Sequence, residues 1–297
     1  MYQRRTFIGR KRDVIRNLSY TCANPSSARY EKSKKRVIVQ RRGPKPEVND
    51  ETALQEIRSE IAHCPFHSEG YKKIRIRMRR RGIRVGKQRV LRLMKTHQLL
   101  APVRPKKTGL SRPHDGSIRT ELPNQLWGTD GKQFRTEEEG MCWFFGVIDH
   151  HNDELLSWHC AKRGNRFAAL EPVRQSVKKC FGGIGQNIAQ GTGLFLRSDH
   201  GTQYDSRDFQ QELKFLGVQH SPVFARSPEC NGIIERFHRI LQEQVFDVHQ
   251  FKNLEEARKM IGEFIEQYSN HWMIERLGYL SPVEYKNQHQ NIFLKSA

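Results

Sequence analysis

At 297 residues, 36% of them hydrophobic, the chain has room for two compact units and a sizeable core in one of them. It contains no run of about 18 apolar residues, which excludes a membrane-spanning helix. The formal net charge of +20 is concentrated: residues 1–120 carry 32 Lys and Arg against 9 Asp and Glu, residues 121–297 carry 20 against 23. An excess so confined argues against a merely solubilising surface and for a nucleic-acid-binding segment joined to a near-neutral globular part.

The start, MYQRRTFIGRKRDVIRNL, is basic and lacks an apolar stretch or a small-residue cleavage site, so no secretory signal is expected. Residues 1–50 are basic and without periodicity, and Arg41-Arg42-Gly43-Pro44-Lys45-Pro46 reads as an extended linker. The expectation is an arm that is disordered or orders only on DNA. Asn49, Asp50, Glu51 and Thr52 have helix-start chemistry, followed by Leu54, Ile57 and Ile61 at helical spacing. Tyr71–Arg81 is expected to form a second helix, although Ile74, Ile76 and Met78 alternate with Arg75, Arg77 and Arg79 at the period of a strand. Lys87–His97 is expected to form a third, with Val90, Leu91, Leu93 and Met94 as its apolar stripe and Gly86 as the break before it. Three short helices over 51–100 make a small helical domain of helix-turn-helix kind. In either conformation Tyr71–Arg81 holds no acidic residue, so phosphate contact is expected of it, without a readable base preference.

Residues 101–120, rich in Pro and Lys, read as a second linker into a larger domain spanning 121–286, with 287–297 as a tail. That domain opens with the extended segment Gln125–Asp130 and a further segment from Asp130 to Phe134. An acidic turn at Glu137–Gly140, a buried strand over Cys142–Ile148 ending at Asp149, and a third strand over Leu155–Cys160 follow. Arg166–Cys180 reads as a helix closed by Gly182 and Gly183, Gly193–Arg197 as a fourth strand, Ser206–Leu216 as a Ser-capped helix ending at Gly217, and Val218–His220 as a short fifth strand. The order β-β-β-α-β-α-β-α is mixed α/β, an antiparallel meander leading into parallel units. Six scattered cysteines without a Cys-x-x-Cys pair fit reduced thiols in a cytosolic protein.

Three carboxylates stand out. Asp130 ends its extended segment, Asp199 follows the apolar run Leu194, Phe195, Leu196, and Glu235 comes after 35 intervening residues, inside the helix-like run Gly232–Val245. Carried on two strand ends and a helix, they are able to converge, and carboxylate oxygens suit Mg²⁺ or Mn²⁺. Spacing alone selects them weakly among 23 acids in this half of the chain, where Asp149, Asp205, Asp208 and Glu229 compete. Asp149 sits in a hairpin-like cluster and Asp208 in the first turn of its helix, where a negative charge favours the dipole. His63 and His67 have the spacing of zinc ligands, yet no Cys-x-x-Cys follows them.

The blocks Trp127-Gly128-Thr129-Asp130, Arg197-Ser198-Asp199-His200-Gly201-Thr202-Gln203-Tyr204, and Ser227-Pro228 through Asn231-Gly232 to Glu235-Arg236-Phe237 resemble the DDE transposases and retroviral-type integrases. The resemblance is nearest to the second-frame protein of insertion sequences of the IS-three type, and spans about residues 51–286. It implies a ribonuclease H-like core, a mixed five-stranded sheet flanked by helices, with Asp130 on the first strand, Asp199 just after the fourth and Glu235 on a following helix. It also implies that these three acids hold two Mg²⁺ or Mn²⁺ ions, which activate water to nick 3′ ends and then the freed 3′-hydroxyl to attack target DNA.

On the same resemblance, Gly201 lets the backbone bend beside Asp199, Asn231 caps the Glu235 helix, and Arg239 lies one turn after Glu235, within reach of a phosphate. DNA contact is expected of Lys72, Lys73, Arg75, Arg79, Arg89, Arg92 and Arg239. The expected partners are element ends and target DNA, a first-frame partner protein and further copies of the chain on DNA, in the bacterial cytoplasm at the nucleoid. The chain departs from the family at Gln242, where a basic residue is usual, and over Tyr268–Leu277, which matches loosely. A DNA-binding relative without catalysis, regulating transposition, and a nuclease acting on RNA are the alternatives.

Overall fold

The first helix starts where its cap chemistry places it: the Asn49 side chain accepts from Thr52 N at 2.7 Å, and Asp50 and Glu51 occupy the first turn of α1 (Asp50–His63). The helix α2 (Tyr71–Arg80) overrides the strand-like alternation of its sequence. Ile74 and Met78, four residues apart, share one face and are both fully buried, whereas a strand would have needed Ile76 beside them. With α3 (Lys87–Thr96) these helices close a small core of Ala53, Ile57, Ile74, Met78, Val85, Val90, Leu93 and Met94. The computed structural model describes residues 47–102, 120–221 and 231–295, all within the unit Pro46–Ala297. The expected arm as far as residue 46, residues 103–119 of the expected linker, and Ser227, Pro228 and Glu229 lie outside the described residues.

The sheet has the order β3-β2-β1-β4-β5. A long antiparallel hairpin joins β1 (Leu126–Thr136) to β2 (Gly140–Asp149), in register from Trp127 opposite Asp149 to Thr136 opposite Gly140. The strand β3 (Leu155–Ala161) extends the meander antiparallel to β2, with a register shift between Val147 and Ile148. On the other side of β1, β4 (Phe195–Arg197) and β5 (Gln219–His220) add in parallel. They are connected through α4 (Arg166–Phe181) and α5 (Arg207–Leu216), capped by Asn165 and Ser206 and ended by Gly182 and Gly217. This is the mixed five-stranded, helix-flanked sheet that the sequence implies.

Alternation along the strands sends side chains to two cores. Trp127, Phe145, Val147 and Leu196 pack with α4 and α5. Phe134, Phe144, Ile148, Leu155 and Cys160 face α6 (Gly232–Leu241) and α7 (Leu254–His271). A π-turn at Gln242–Phe246 follows α6, and α8 (Pro282–Lys295) continues the helix beyond residue 286, into the expected tail. None of the helices among the described residues is long and apolar enough to cross a membrane.

The small helical unit is seated on the second of these cores. Phe66, in the turn after α1, meets Trp272 edge-on at 4.9 Å between ring centroids, and the Gln244 side chain bonds both His67 N and His67 O at 2.8 and 2.9 Å. Across the same seam Lys72 pairs with Glu275 at 2.6 Å and Arg80 with Glu284 at 3.0 Å.

Candidate active site

Asp130 is not at a strand end. It is the fifth residue of an unbroken β1, opposite Gly146 of β2, because Gly131 keeps the strand paired where the sequence reads as a break. The absence of a side chain at Gly131 leaves room for the Phe145 ring, which an added Cβ would meet at 2.6 Å. By alternation Asp130 faces the α6 side of the sheet. Its Oδ1 accepts from Gly131 N at 2.7 Å, and its Oδ2 lies 3.3 Å from His238 Nδ1.

Asp199 follows β4 by two residues, exposed to solvent, with its Oδ1 accepting from Gly201 N at 3.2 Å. Burial, and then the charge of Asp130, raise its carboxyl above the ordinary aspartate range. A Cβ on Gly201 would come within 3.1 Å of the same oxygen. Glu235, exposed in the first turn of α6, lines a cavity of about 650 Å³ with Asp130, Trp143, His238, Arg239 and Gln242. Two of the three acids thus share one cavity, and the third stands within electrostatic reach of Asp130. Among the described residues no three His, Cys, Asp or Glu side chains are gathered closely enough to hold a metal ion by themselves.

Asn231 holds the N-cap position of α6 but does not cap it. Its backbone (φ −111°, ψ 15°) departs from the extended conformation of a capping residue, and Nδ2 donates to Thr129 O at 3.3 Å. The residue therefore ties α6 to the strand that carries Asp130, while its Oδ1 is buried without a partner among the described residues. The competing acids have structural partners. Asp149 is buried and accepts from Asn124 N and His151 N, Asp208 pairs with Arg166, and Asp205 faces His200. His63 Nδ1 is bonded to its own helix at Ser59 O, and His67 is exposed.

The expected DNA-contacting cations divide into two groups. Lys72 is taken by Glu275, and Arg89 and Arg92 are both taken by Asp50, at 2.6 and 2.7 Å. Lys73 lies 3.4 Å from Glu69 and 3.2 Å above the centroid of the Trp272 ring. Arg75 donates to Val85 O, and among the described residues Arg75, Arg79 and Arg239 have no carboxylate partner. The apparently unbalanced run Tyr71–Arg81 is thus partly balanced by acids from distant parts of the chain. Sequence reading missed His238; its signal was the three-residue spacing from Glu235, which puts both on one face of α6.

The Integrase core domain family matches this chain at residues 120–228 and, through a second model of the same description, at 216–282; an HTH-like domain matches 49–107. Among relatives, the protein assigned as transposase InsK of the insertion sequence element IS150 in Escherichia coli (strain K12) is 28% identical, covering 77% of this chain and 81% of that one. Transposase InsD of the insertion element IS2 in Escherichia coli is 26% identical, covering 81% and 80%. Among solved structures, a chain of the simian T-cell lymphotropic virus intasome aligns with a TM-score of 0.46 at 16% identity, covering 77% of this chain and 73% of that chain.

Proposed function

We propose that this chain, which belongs to the integrase-core transposases of bacterial insertion sequences and acts in DNA transposition, cuts and joins DNA with Asp130, Asp199 and Glu235. The observation that carries the assignment is the shared cavity. Asp130 from the sheet and Glu235 from α6 line it together with Arg239, and burial, then the charge of Asp130, raise the carboxyl of Asp199. Such a donor set fits a hard divalent cation: every candidate ligand atom is a carboxylate oxygen, and neighbouring like charges are what a cation relieves. Bound there, Mg²⁺ or Mn²⁺ ions, two in number, supply an activated water or 3′-hydroxyl and neutralise charge on the leaving oxygen.

The chain's own part is positioning. Gly131 N and Gly201 N each fix one oxygen of an aspartate, Asn231 ties α6 to β1, and Arg239, without a carboxylate partner among the described residues, lines the cavity beside Glu235. Of the expected DNA contacts, Arg75, Arg79 and Arg239 lead, because their charge is not spent on a carboxylate; Lys72, Lys73, Arg89 and Arg92 serve DNA only after leaving theirs. We further propose the division into a basic arm (1–50), a helical DNA-binding unit (51–100), a linker (101–120) and a catalytic core (121–286), working as several copies on DNA with a first-frame partner.

The test is purified protein with a DNA carrying its own element end. In Mn²⁺ it is expected to nick and join that DNA and to leave an RNA–DNA hybrid intact, and Asp199→Asn is expected to abolish both reactions. Cleavage retained in that variant overturns the assignment of the acids. Salt-sensitive DNA binding without turnover in the wild type would favour a non-catalytic regulator.

A further inference from the structure

The acid on β1 has a second holder that none of the family motifs points to. His238 is the seventh residue of α6, three after Glu235 and so on the same side of the helix. Its side chain is only 7% exposed, and its Nδ1 stands 3.3 Å from Asp130 Oδ2. The ring has little freedom to turn away. The fully buried Phe144 packs edge-to-face against it at 5.8 Å between centroids, and Phe237 lies at 6.2 Å. A carboxylate only accepts, so a hydrogen carried on Nδ1 is what the ring has to offer this oxygen. The other nitrogen, Nε2, is buried with no hydrogen-bond partner among the described residues, so of the two ring nitrogens only Nδ1 stands beside a polar group.

Asp130 is thereby flanked at both oxygens: Oδ1 accepts from a backbone N–H of its own strand, and Oδ2 lies 3.3 Å from the imidazole of the helix that carries Glu235. We propose that His238 is a positioning residue for Asp130, fixing the carboxylate's rotamer toward the cavity that Glu235 lines. The inference rests on the reading of Asp130 as a metal-holding acid. Partners behind a metal-ligating group orient it, and losing one typically costs about 10–100-fold in metal affinity or activity. The effect therefore falls on the divalent-cation requirement and leaves DNA affinity alone.

Side-chain chemistry separates this from a packing role. The amide nitrogen of Asn is bonded to Cγ, as Nδ1 of His is, and can place a donor where Nδ1 faces Asp130. The amide nitrogen of Gln lies one atom further out, nearer the place of the idle Nε2. His238→Phe keeps ring volume without any donor. The experiment compares His238→Asn, His238→Gln and His238→Phe in full-length protein. Readouts are Mn²⁺ binding by calorimetry without DNA, Mg²⁺ dependence of nicking, KM for DNA, and Tm.

Gln and Phe are expected to raise the Mn²⁺ dissociation constant and the half-saturating Mg²⁺ concentration by about 10–100-fold, with Asn within about threefold of wild type. KM for DNA is expected to move less than about threefold in all three, as no phosphate contact is removed. The inference is overturned if Asn and Gln behave alike, if the loss lies in KM for DNA, or if cation binding follows Tm across the three variants. Asp130→Asn separates the two levels: retained activity there refutes the acid assignment itself, whereas an inactive Asp130→Asn beside unaffected His238→Gln and His238→Phe refutes only the positioning role.

Discussion

Replacing Glu69 with Ala probes the seam between the helical unit and the sheet. The Glu69 carboxylate is 1% exposed, receives Arg77 through Nε at 2.8 Å and Nη2 at 3.3 Å, and lies 3.4 Å from Lys73 Nζ, which rests on Trp272. Burial opposes its charge, but the Arg77 hydrogen bonds and the Lys73 charge outweigh burial, so its pKa falls below the ordinary glutamate value. Breaking a buried pair from one side costs about 3–5 kcal/mol when the partner charge is stranded. Here Arg77 and Lys73 retain 20% and 18% exposure, and burial already lowers Lys73 to about 8, ahead of the opposing effect of Glu69. Relief through water and through loss of the Lys73 proton reduces the expected cost to about 2–3 kcal/mol. For a unit of this size that is a Tm lower by roughly 4–12 °C, measured by calorimetry at pH 7.

The pH dependence has a definite sign. A carboxylate with a depressed folded pKa contributes stability above its unfolded pKa and loses it as pH falls through the folded one. The gap between wild type and Glu69→Ala is therefore full at neutral pH and closes in acid, below the usual glutamate range. Replacing the pair together, Glu69→Leu with Arg77→Met, is expected to restore most of the Tm, because only Lys73 is then left opposite the acid's site, and burial already lowers it to about 8 so that it sheds its proton readily. A gap under about 2 °C at pH 7, or one that widens toward acid, would refute the reasoning.

Gly131→Ala would drive a Cβ to 2.6 Å from Phe145, whose ring is fully buried and stacked on Trp143, so the urea midpoint is expected to fall by the equivalent of about 1–3 kcal/mol at constant m. An unchanged midpoint would mean that Phe145 moves freely. Mg²⁺ is expected to raise Tm at neutral pH: burial and the charge of Asp130 make ionised Asp199 unfavourable, so stability falls as pH rises through its raised pKa until a cation compensates. At tenfold its dissociation constant the ion contributes about 1.4 kcal/mol, an effect that should largely vanish in Asp199→Asn. Arg239→Ala is expected to weaken binding evenly across DNA sequences and to lower the slope of log affinity against log salt by about 1. A change in sequence preference with an unaltered slope would place Arg239 away from phosphate.

Much of this architecture was legible because local chemistry and fold agree. Asn49 and Ser206 cap where their side chains promise, and Gly182 and Gly217 stop α4 and α5 in left-handed backbone. Where sequence misled, long-range pairing decided. Gly131-Lys132-Gln133 looks like a break after Asp130, yet β2 pairs across it and the strand runs on. Arginine alternation in Tyr71–Arg81 mimics a strand, but the buried pair Ile74 and Met78 settles on a helix. The run seemed free for DNA because Glu275 and Glu284, which take Lys72 and Arg80, lie 203 and 204 residues away along the chain. Asn231 had the right residue type for a cap, and the nearby Thr129 carbonyl took its amide instead. His238 carried no motif at all, and only the docking of α6 on β1 brings it to Asp130.

The central claim, that three carboxylates together cut and join DNA, is tested most directly by single-turnover nicking of an element end in Mg²⁺. Asp130→Asn, Asp199→Asn and Glu235→Gln are compared with wild type at matched DNA occupancy and matched Tm. Each is predicted to lose nicking and strand transfer alike, by about a thousandfold or more, because groups that act as one unit fail together. Any one of the three retaining nicking within about tenfold of wild type would contradict the claim.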